Sequence, residues 1–252
     1  MLSIWNSHHM HLTNLENIMK RAMLISMLLI TSSLSHAFSI DKMLLIAGGD
    51  GNGVFTLTSS KGEPEYIKGS VSQIKVTRGE LEKLELTKDN LPLWDLTLLP
   101  NKLILNPGER RRVSVKNLCQ VNCDNLEKDK VYQVTFMPSV LDDEKNKSRV
   151  GINYGYAPYY IVPAESANVQ YKIEYNGDEV YVENKGNTFF YMQFDNCKPG
   201  IVNNKCKQTN TILAGRKKTI KLAEGLKDVD SLSVKVATHD YSYNKKITIN
   251  KK

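Results

Sequence analysis

The chain has 252 residues, 41% of them hydrophobic and 24% charged, with 34 Lys+Arg against 27 Asp+Glu. That apolar share is enough for a core, which excludes a disordered tail, and the length holds one or two ordinary domains. The basic excess is scattered, with Arg110-Arg111-Arg112 as its tight cluster, and no reading motif accompanies it, so nucleic acid is not an expected partner.

Residues 1–37 read as an address rather than as structure. Lys20-Arg21 gives a positive start, Ala22 to Leu34 is an apolar run too short to span a bilayer, and Ser35-His36-Ala37 has the small-x-small form cut by signal peptidase. A leader starting at Met19 has an ordinary length, which makes residues 1–18 an overcalled extension; an uncut signal anchor is the alternative. Beyond residue 40 no run of about 18 apolar residues occurs, so no membrane insertion by a helix is expected.

Next comes Gly48-Gly49-Asp50-Gly51-Asn52-Gly53. A phosphate cradle runs into a helix, but here a strand-like Val54 to Thr58 follows. A calcium loop needs a downstream acidic ligand that is missing. The segment reads as a turn or bulge. Short alternating runs then recur: Tyr66 to Val76, Leu103 to Leu105, Arg112 to Lys116, Lys130 to Pro138 and a long one, Arg149 to Pro163, after the polar stretch Ser139 to Ser148. Asn106-Pro107-Gly108-Glu109 marks a turn between two of them. The second half contributes Val169 to Tyr175, Glu179 to Glu183, Thr188 to Phe194, Lys218 to Leu222, Ser231 to Ala237 and Lys245 to Asn250. Roughly 13 to 15 short strands without periodic helices predict an all-β chain of two immunoglobulin-like β-sandwich domains. The expected domains are 38–163 and 167–252, divided at Pro163-Ala164-Glu165-Ser166.

The chemistry-bearing residues are sparse. Cys119, Cys123, Cys197 and Cys206 form an even set that suggests disulfides in an exported chain, with three pairings open. Their spacing fits a zinc site poorly, so no metal and no cofactor is expected. His239 is the single histidine beyond the leader, in a Thr238-His239-Asp240-Tyr241 turn that reads as solvated. No nucleophile elbow, zincin or P-loop pattern occurs, and a secreted hydrolase is disfavoured.

The long run is the informative element. Val150, Ile152, Tyr154 and Tyr156 share one face, while Gly151, Asn153, Gly155 and Ala157 share the other. Such a strand either faces its own core or offers its bulky row to another chain; proteins normally disguise edges of the second kind.

In sequence order, Leu91 to Pro100 (LPLWDLTLLP), Leu103 to Glu109 (LILNPGE), Val131 to Pro138 (VYQVTFMP), Tyr154 to Pro163 and Val182 to Thr188 (VENKGNT) resemble the segments of the PapD-like periplasmic pilus-assembly chaperones. The Trp94-Asp95 and Phe194 to Cys206 segments are most similar to the chaperones of alternate, colonisation-factor-type fimbriae. The resemblance covers residues 38–252. It implies the two sandwiches in an L-shaped arrangement, a periplasmic location, no enzymatic activity, and a second-domain disulfide at Cys197 and Cys206.

It also implies donor-strand complementation: the chaperone lends a strand, here Arg149 to about Tyr156, to a fimbrial subunit that lacks one. Val150, Ile152, Tyr154 and Tyr156 are then the subunit-binding row, each contributing about 1.5–3 kcal/mol if fully buried. The expected partners are fimbrial (pilin) subunits and an outer-membrane usher, and the same edge leaves self-association open. Relatives hold the subunit's C-terminal carboxylate with two cations. The matching positions here are Leu44 and Tyr156, so Lys42, Arg112 and Arg149 are the substitute candidates. The rival reading is a structural or adhesive subunit of a surface fibre, with residues 38–50 as its donor extension.

Overall fold

Burial alternates along the strands as their sequences demand. In β3 (Gly53–Thr58) Phe55 and Leu57 are buried; in β8 (Arg110–Asn117) Val113 and Val115 are buried, while Arg112 points away from them. Period-two burial is what a sheet with one face on a core produces. The computed structural model describes residues 38–118, 126–139, 154–198, 200 and 203–252. The expected leader (residues 1–37), Cys119, Cys123, Arg149, Val150 and Ile152 lie outside them.

The strands up to Val162 make two facing sheets. One has the order β1 (Ser39–Ile40), β3, β8, β6 (Leu96–Leu99). The other runs β2 (Leu44–Ile46), β10 (Tyr159–Val162), β9 (Lys130–Ser139), β4 (Glu65–Thr77), β5 (Glu80–Glu85), with β7 (Lys102–Leu105) also on β4. Phe38, Phe55, Leu98, Val134, Phe136 and Tyr160 are among the side chains filling the space between them.

From Tyr171 onward two further sheets face each other. β11 (Tyr171–Tyr175), β12 (Glu179–Asn184) and β15 (Lys217–Lys221) form one; β14 (Lys207–Ile212), β13 (Phe190–Asp195), β16 (Ser231–Ala237) and β17 (Asn244–Asn250) form the other. Val180, Val182, Phe190, Phe194, Val234 and Val236 lie in their core. The fold is thus all-β, with two sandwiches. Among the described residues helical structure is confined to two 3₁₀ turns, Lys88–Leu93 and Glu224–Leu226, and no helix is long and apolar enough to cross a membrane.

Of the open cysteine pairings, Cys197–Cys206 is formed, with the Cα atoms 5.0 Å apart. It joins the end of β13 to the start of β14. The glycine-rich segment is a tied turn: Gly51 N–H donates to Gly48 O at 2.8 Å, and the Asp50 carboxylate receives the side-chain and backbone N–H groups of Asn52. Those two donors, the side-chain amide first, hold the Asp50 carboxyl below its ordinary range. Gly53 is a glycine because a Cβ there would stand 2.7 Å from the Tyr160 ring.

Two sequence expectations change. His239 sits in a turn but is half-buried: its ring stacks on Phe189 with centroids 5.7 Å apart, and Nδ1 is enclosed. It packs because Phe189 reaches the boundary between the sandwiches. The suggested donor extension, residues 38–50, is already in use. Ser39 and Ile40 pair with Thr58 and Leu57 of their own sandwich, Leu44 to Ile46 pair with Tyr159 to Ile161, and Phe38 is buried.

Candidate functional site

The site is built on β9. Its N-terminal half is pinned from below: Tyr132 is buried in the core, and Lys130 Nζ reaches Asp95 Oδ2 at 2.9 Å. Burial, reinforced by Asp95, pushes the Tyr132 hydroxyl up, so it stays protonated. The Trp94 indole N–H donates to Thr87 O at 3.0 Å and Asn90 Oδ1 at 3.1 Å, which fixes the turn leading to Asp95.

Beside β9 runs β10. Tyr159 to Val162 pair with β9 on one side and, through Ile161, with β2 in parallel on the other. The Tyr160 hydroxyl donates to Gly51 O at 2.7 Å from a buried position, locking β10 to the glycine turn. Burial is also what raises that hydroxyl's pKa.

Upstream of Tyr159 the pairing becomes one-sided. Phe136 N–H donates to Tyr156 O at 2.7 Å, Tyr156 N–H returns to Phe136 O at 2.9 Å, and Val134 N–H donates to Pro158 O at 2.9 Å. Towards β2, the last contact is Tyr159 N–H to Met43 O at 2.9 Å, and Pro158 has no N–H to offer. Among the described residues no strand covers the outer side of Tyr154 to Ala157. Within this segment Tyr156 bridges to Phe136, and its outer edge is open.

The two tyrosines expected in one subunit-binding row are separated in the structure. Tyr156 is half-buried on the core side, its ring edge-on to Phe38 with centroids 5.1 Å apart. Two residues earlier Tyr154 is 58% exposed. The row therefore starts on the core of its own sandwich and leaves it within one repeat of the pleat. On the opposite face Gly155 lies against Met137. A Cβ on Gly155 would run into Met137 Sδ and come 2.6 Å from the Phe136 carbonyl oxygen. Gly155 was legible only as a small residue; that its hydrogen atom is required follows from its close approach to β9.

The cation candidates are spread out. Lys42 is exposed and precedes Met43, whose carbonyl binds Tyr159, so its backbone adjoins the edge. Arg112 is exposed on the solvent side of β8, in the other sheet, and is not brought to Tyr154–Pro158. Arg149 lies outside the described residues. Among the described residues no cluster of His, Cys, Asp and Glu suited to a metal ion occurs. A groove of about 520 Å³ runs along β4, lined by Val71, Trp94, Leu96, Leu98 and Met137 among others; Met137 connects it to the edge.

A family model described as CS5 fimbrial protein N-terminal domain matches residues 40–163. The solved structure of the class 5 fimbriae chaperone CfaA superposes with a TM-score of 0.54 at 17% identity, covering 86% of this chain and 99% of that one. The fold is that of the PapD-like chaperones. A chain of the chaperone–tip adhesin complex of CFA/I fimbriae biogenesis gives 0.53 at 18% identity, covering 85% and 98%. A chain from the Salmonella enterica SafA pilin–SafB chaperone complex gives 0.54 at 9% identity, covering 87% and 98%. In sequence, the Escherichia coli "Uncharacterized 25.9 kDa protein in CS5 3'region" is 27% identical over 177 residues, 69% of this chain and 75% of that protein.

Proposed function

We propose that the chain is a periplasmic chaperone that captures fimbrial subunits by donor-strand complementation and delivers them to an outer-membrane usher. The observation that carries this reading is the change along the Tyr154–Tyr156 row. Tyr156 packs on its own core and is bonded to β9 on one side only, whereas Tyr154, two residues upstream, is exposed. A sandwich that lacks a strand offers a row of unpaired backbone groups and an apolar groove, and this edge supplies both complements. In the sequence, Ile152 and Val150 share the parity of Tyr154 and are the further residues assigned to subunit binding.

No ATP or cofactor enters the cycle: affinity comes from main-chain hydrogen bonds and from burial of the bulky row. Lys42 is the candidate nearest the edge for receiving a subunit's terminal carboxylate through a charge-assisted bond. The competing fibre-subunit reading loses support from the pairing of residues 39–46 inside their own sandwich.

The test is co-expression with fimbrial subunits encoded beside it, followed by pull-down. Ile152→Ala/Tyr154→Ala is expected to lower subunit recovery at least about tenfold, with circular dichroism and melting recorded alongside to show that the variant stays folded; the exposed Tyr154 side chain is not part of the core. Undiminished recovery by the double variant would sink the reading.

A further inference from the structure

The sequence places glycine directly after asparagine twice, at Asn52-Gly53 and at Asn176-Gly177. Asparagine is a thermolabile residue, and a following glycine leaves its carboxamide open to the next backbone nitrogen because no Cβ shields the approach. The fold treats the two pairs in opposite ways.

At Asn52 both reacting groups are occupied. The carboxamide oxygen accepts Asn117 N–H at 3.0 Å, and the carboxamide nitrogen donates to Asp50 Oδ2 at 2.7 Å. Gly53 lies opposite Val115 in the ladder of β3 and β8, in phase with the Ser59 N–H to Glu109 O bond, which makes its N–H a ladder donor. This pair must break those bonds before it can react.

At Asn176 both reacting groups are open. The residue is exposed, in the hairpin between β11 and β12. Its N–H donates to Glu179 O at 3.2 Å, and its carboxamide oxygen takes the returning Glu179 N–H at 2.9 Å. That bond holds the side chain over the turn and draws electron density from the carboxamide carbon. Among the described residues neither the carboxamide nitrogen nor the Gly177 N–H has an acceptor. Gly177 has φ +105°, a conformation that favours glycine. A cation stands beside it: a Cβ on Gly177 would lie 2.9 Å from Lys251 Nζ. The Asp228 carboxylate bonds that ammonium at 2.8 Å and raises its pKa, so it stays charged. A fixed cation lowers the cost of negative charge developing at the Gly177 nitrogen and at the attacked oxygen.

We infer that Asn176 is a self-modification site, at which the chain deamidates its own hairpin. Gly177 N gives its proton to water and bonds to the Asn176 carboxamide carbon. The side-chain carbon–nitrogen bond breaks, and the leaving nitrogen takes up a proton and departs as ammonia. Water then opens the cyclic imide. Attack at the side-chain carbonyl leaves aspartate, and attack at the main-chain carbonyl leaves isoaspartate; nothing is oxidised or reduced. Aspartate keeps an acceptor for Glu179 N–H. Isoaspartate lengthens the turn by a methylene. The turn is tied on all sides: Gly177 O accepts Asp228 N–H, Asp178 O accepts Leu222 N–H and Tyr175 O accepts Lys252 N–H, each at 3.0 Å. The isoaspartyl product therefore loosens the closure of the second sandwich.

The experiment ages the purified chain at mildly alkaline pH, folded and in denaturant, and maps both peptides by mass spectrometry with isoaspartate detection. The denatured chain gives each pair its own reference rate. The ratio of folded to denatured rate is expected to be at least about tenfold larger at Asn176 than at Asn52, since only Asn52 must first break its hydrogen bonds. A ratio at Asn176 equal to or below that at Asn52 would overturn the inference. The isoaspartate fraction, separated from the rest, should exchange its Leu222 and Asp228 amides at least about tenfold faster than fresh protein. Equal protection in the two would overturn the loss of closure.

Discussion

The two sandwiches share a fold class and differ in how they finish. The second closes on itself. Lys251 bridges to Tyr175 in parallel, Lys252 N–H donates to Tyr175 O at 3.0 Å, the Tyr175 hydroxyl donates to Val229 O at 3.0 Å, and a disulfide ties β13 to β14. The first stops short. β2 accompanies β10 for three residues and leaves Tyr154 to Ala157 with β9 alone. Its other margin, β5, is the exposed and charged ELEKLE, the ordinary protection of an edge strand. Tyr154-Gly155-Tyr156-Ala157 carries no charge at all. The unprotected margin is therefore local and specific, and the proposed function assigns the partner strand to it.

The sharpest way to break this contrast is Gly155→Val. The new Cβ sits 2.6 Å from a backbone oxygen, and the branched side chain cannot avoid Met137. The segment must leave β9, so capture should fall at least as far as with Ile152→Ala/Tyr154→Ala. The sandwich itself should still melt cooperatively, since Gly155 contributes nothing to its core. A Gly155→Val protein that retains subunits at wild-type levels would show that the pairing with β9 does not matter.

Removing the closure of the second sandwich should do the opposite. Cys197 and Cys206 are 9 residues apart, and a loop of that size is worth about 2–3 kcal/mol of stability in the chain-entropy account. Cys197→Ala/Cys206→Ala should lower the melting temperature by roughly 5–10 °C for a chain of this size. Subunit capture at room temperature should persist. If capture vanished while the fold survived, the division of labour between the sandwiches would be wrong.

Most of this architecture was readable in the sequence, and the exceptions have physical causes. Strands with buried alternate residues, such as Tyr66 to Val76 and Lys130 to Pro138, announce themselves by period. β5 does not, because every residue of ELEKLE is at least partly exposed and no apolar face is needed. β14 (KQTNTI) is hidden for a similar reason: it is a margin strand with one buried residue, Ile212. Of the site, the shared face of Tyr154 and Tyr156 followed from the pleat alone. Its exposure did not, because where β2 begins depends on a chain crossing between sheets that alternation cannot register. The bonds of Asp129 and Asn187 across the two halves of the chain gave no signal, since lone polar residues in turns look alike until their partners, some 60 positions away, are placed.

The smallest expected effect sharpens the contrast at the hairpin between β16 and β17, where the second sandwich satisfies its own turn. The Thr238 hydroxyl and then the Ser242 N–H lower the Asp240 carboxyl from its ordinary 3.8 to about 2. A depressed carboxyl stabilises the fold above its unfolded pKa, and that contribution disappears as pH falls from about 4 towards 2. Asp240 is exposed, so solvent screening keeps the contribution under about 1 kcal/mol. Asp240→Asn removes the titration while keeping an acceptor oxygen. The melting difference between wild type and Asp240→Asn should therefore shrink between pH 5 and pH 2.5, with every other carboxylate cancelling in the comparison. A difference that stays constant across that window would mean that the turn is held by its Thr238 and Tyr243 backbone bonds alone, and that Asp240 is only a solvated charge.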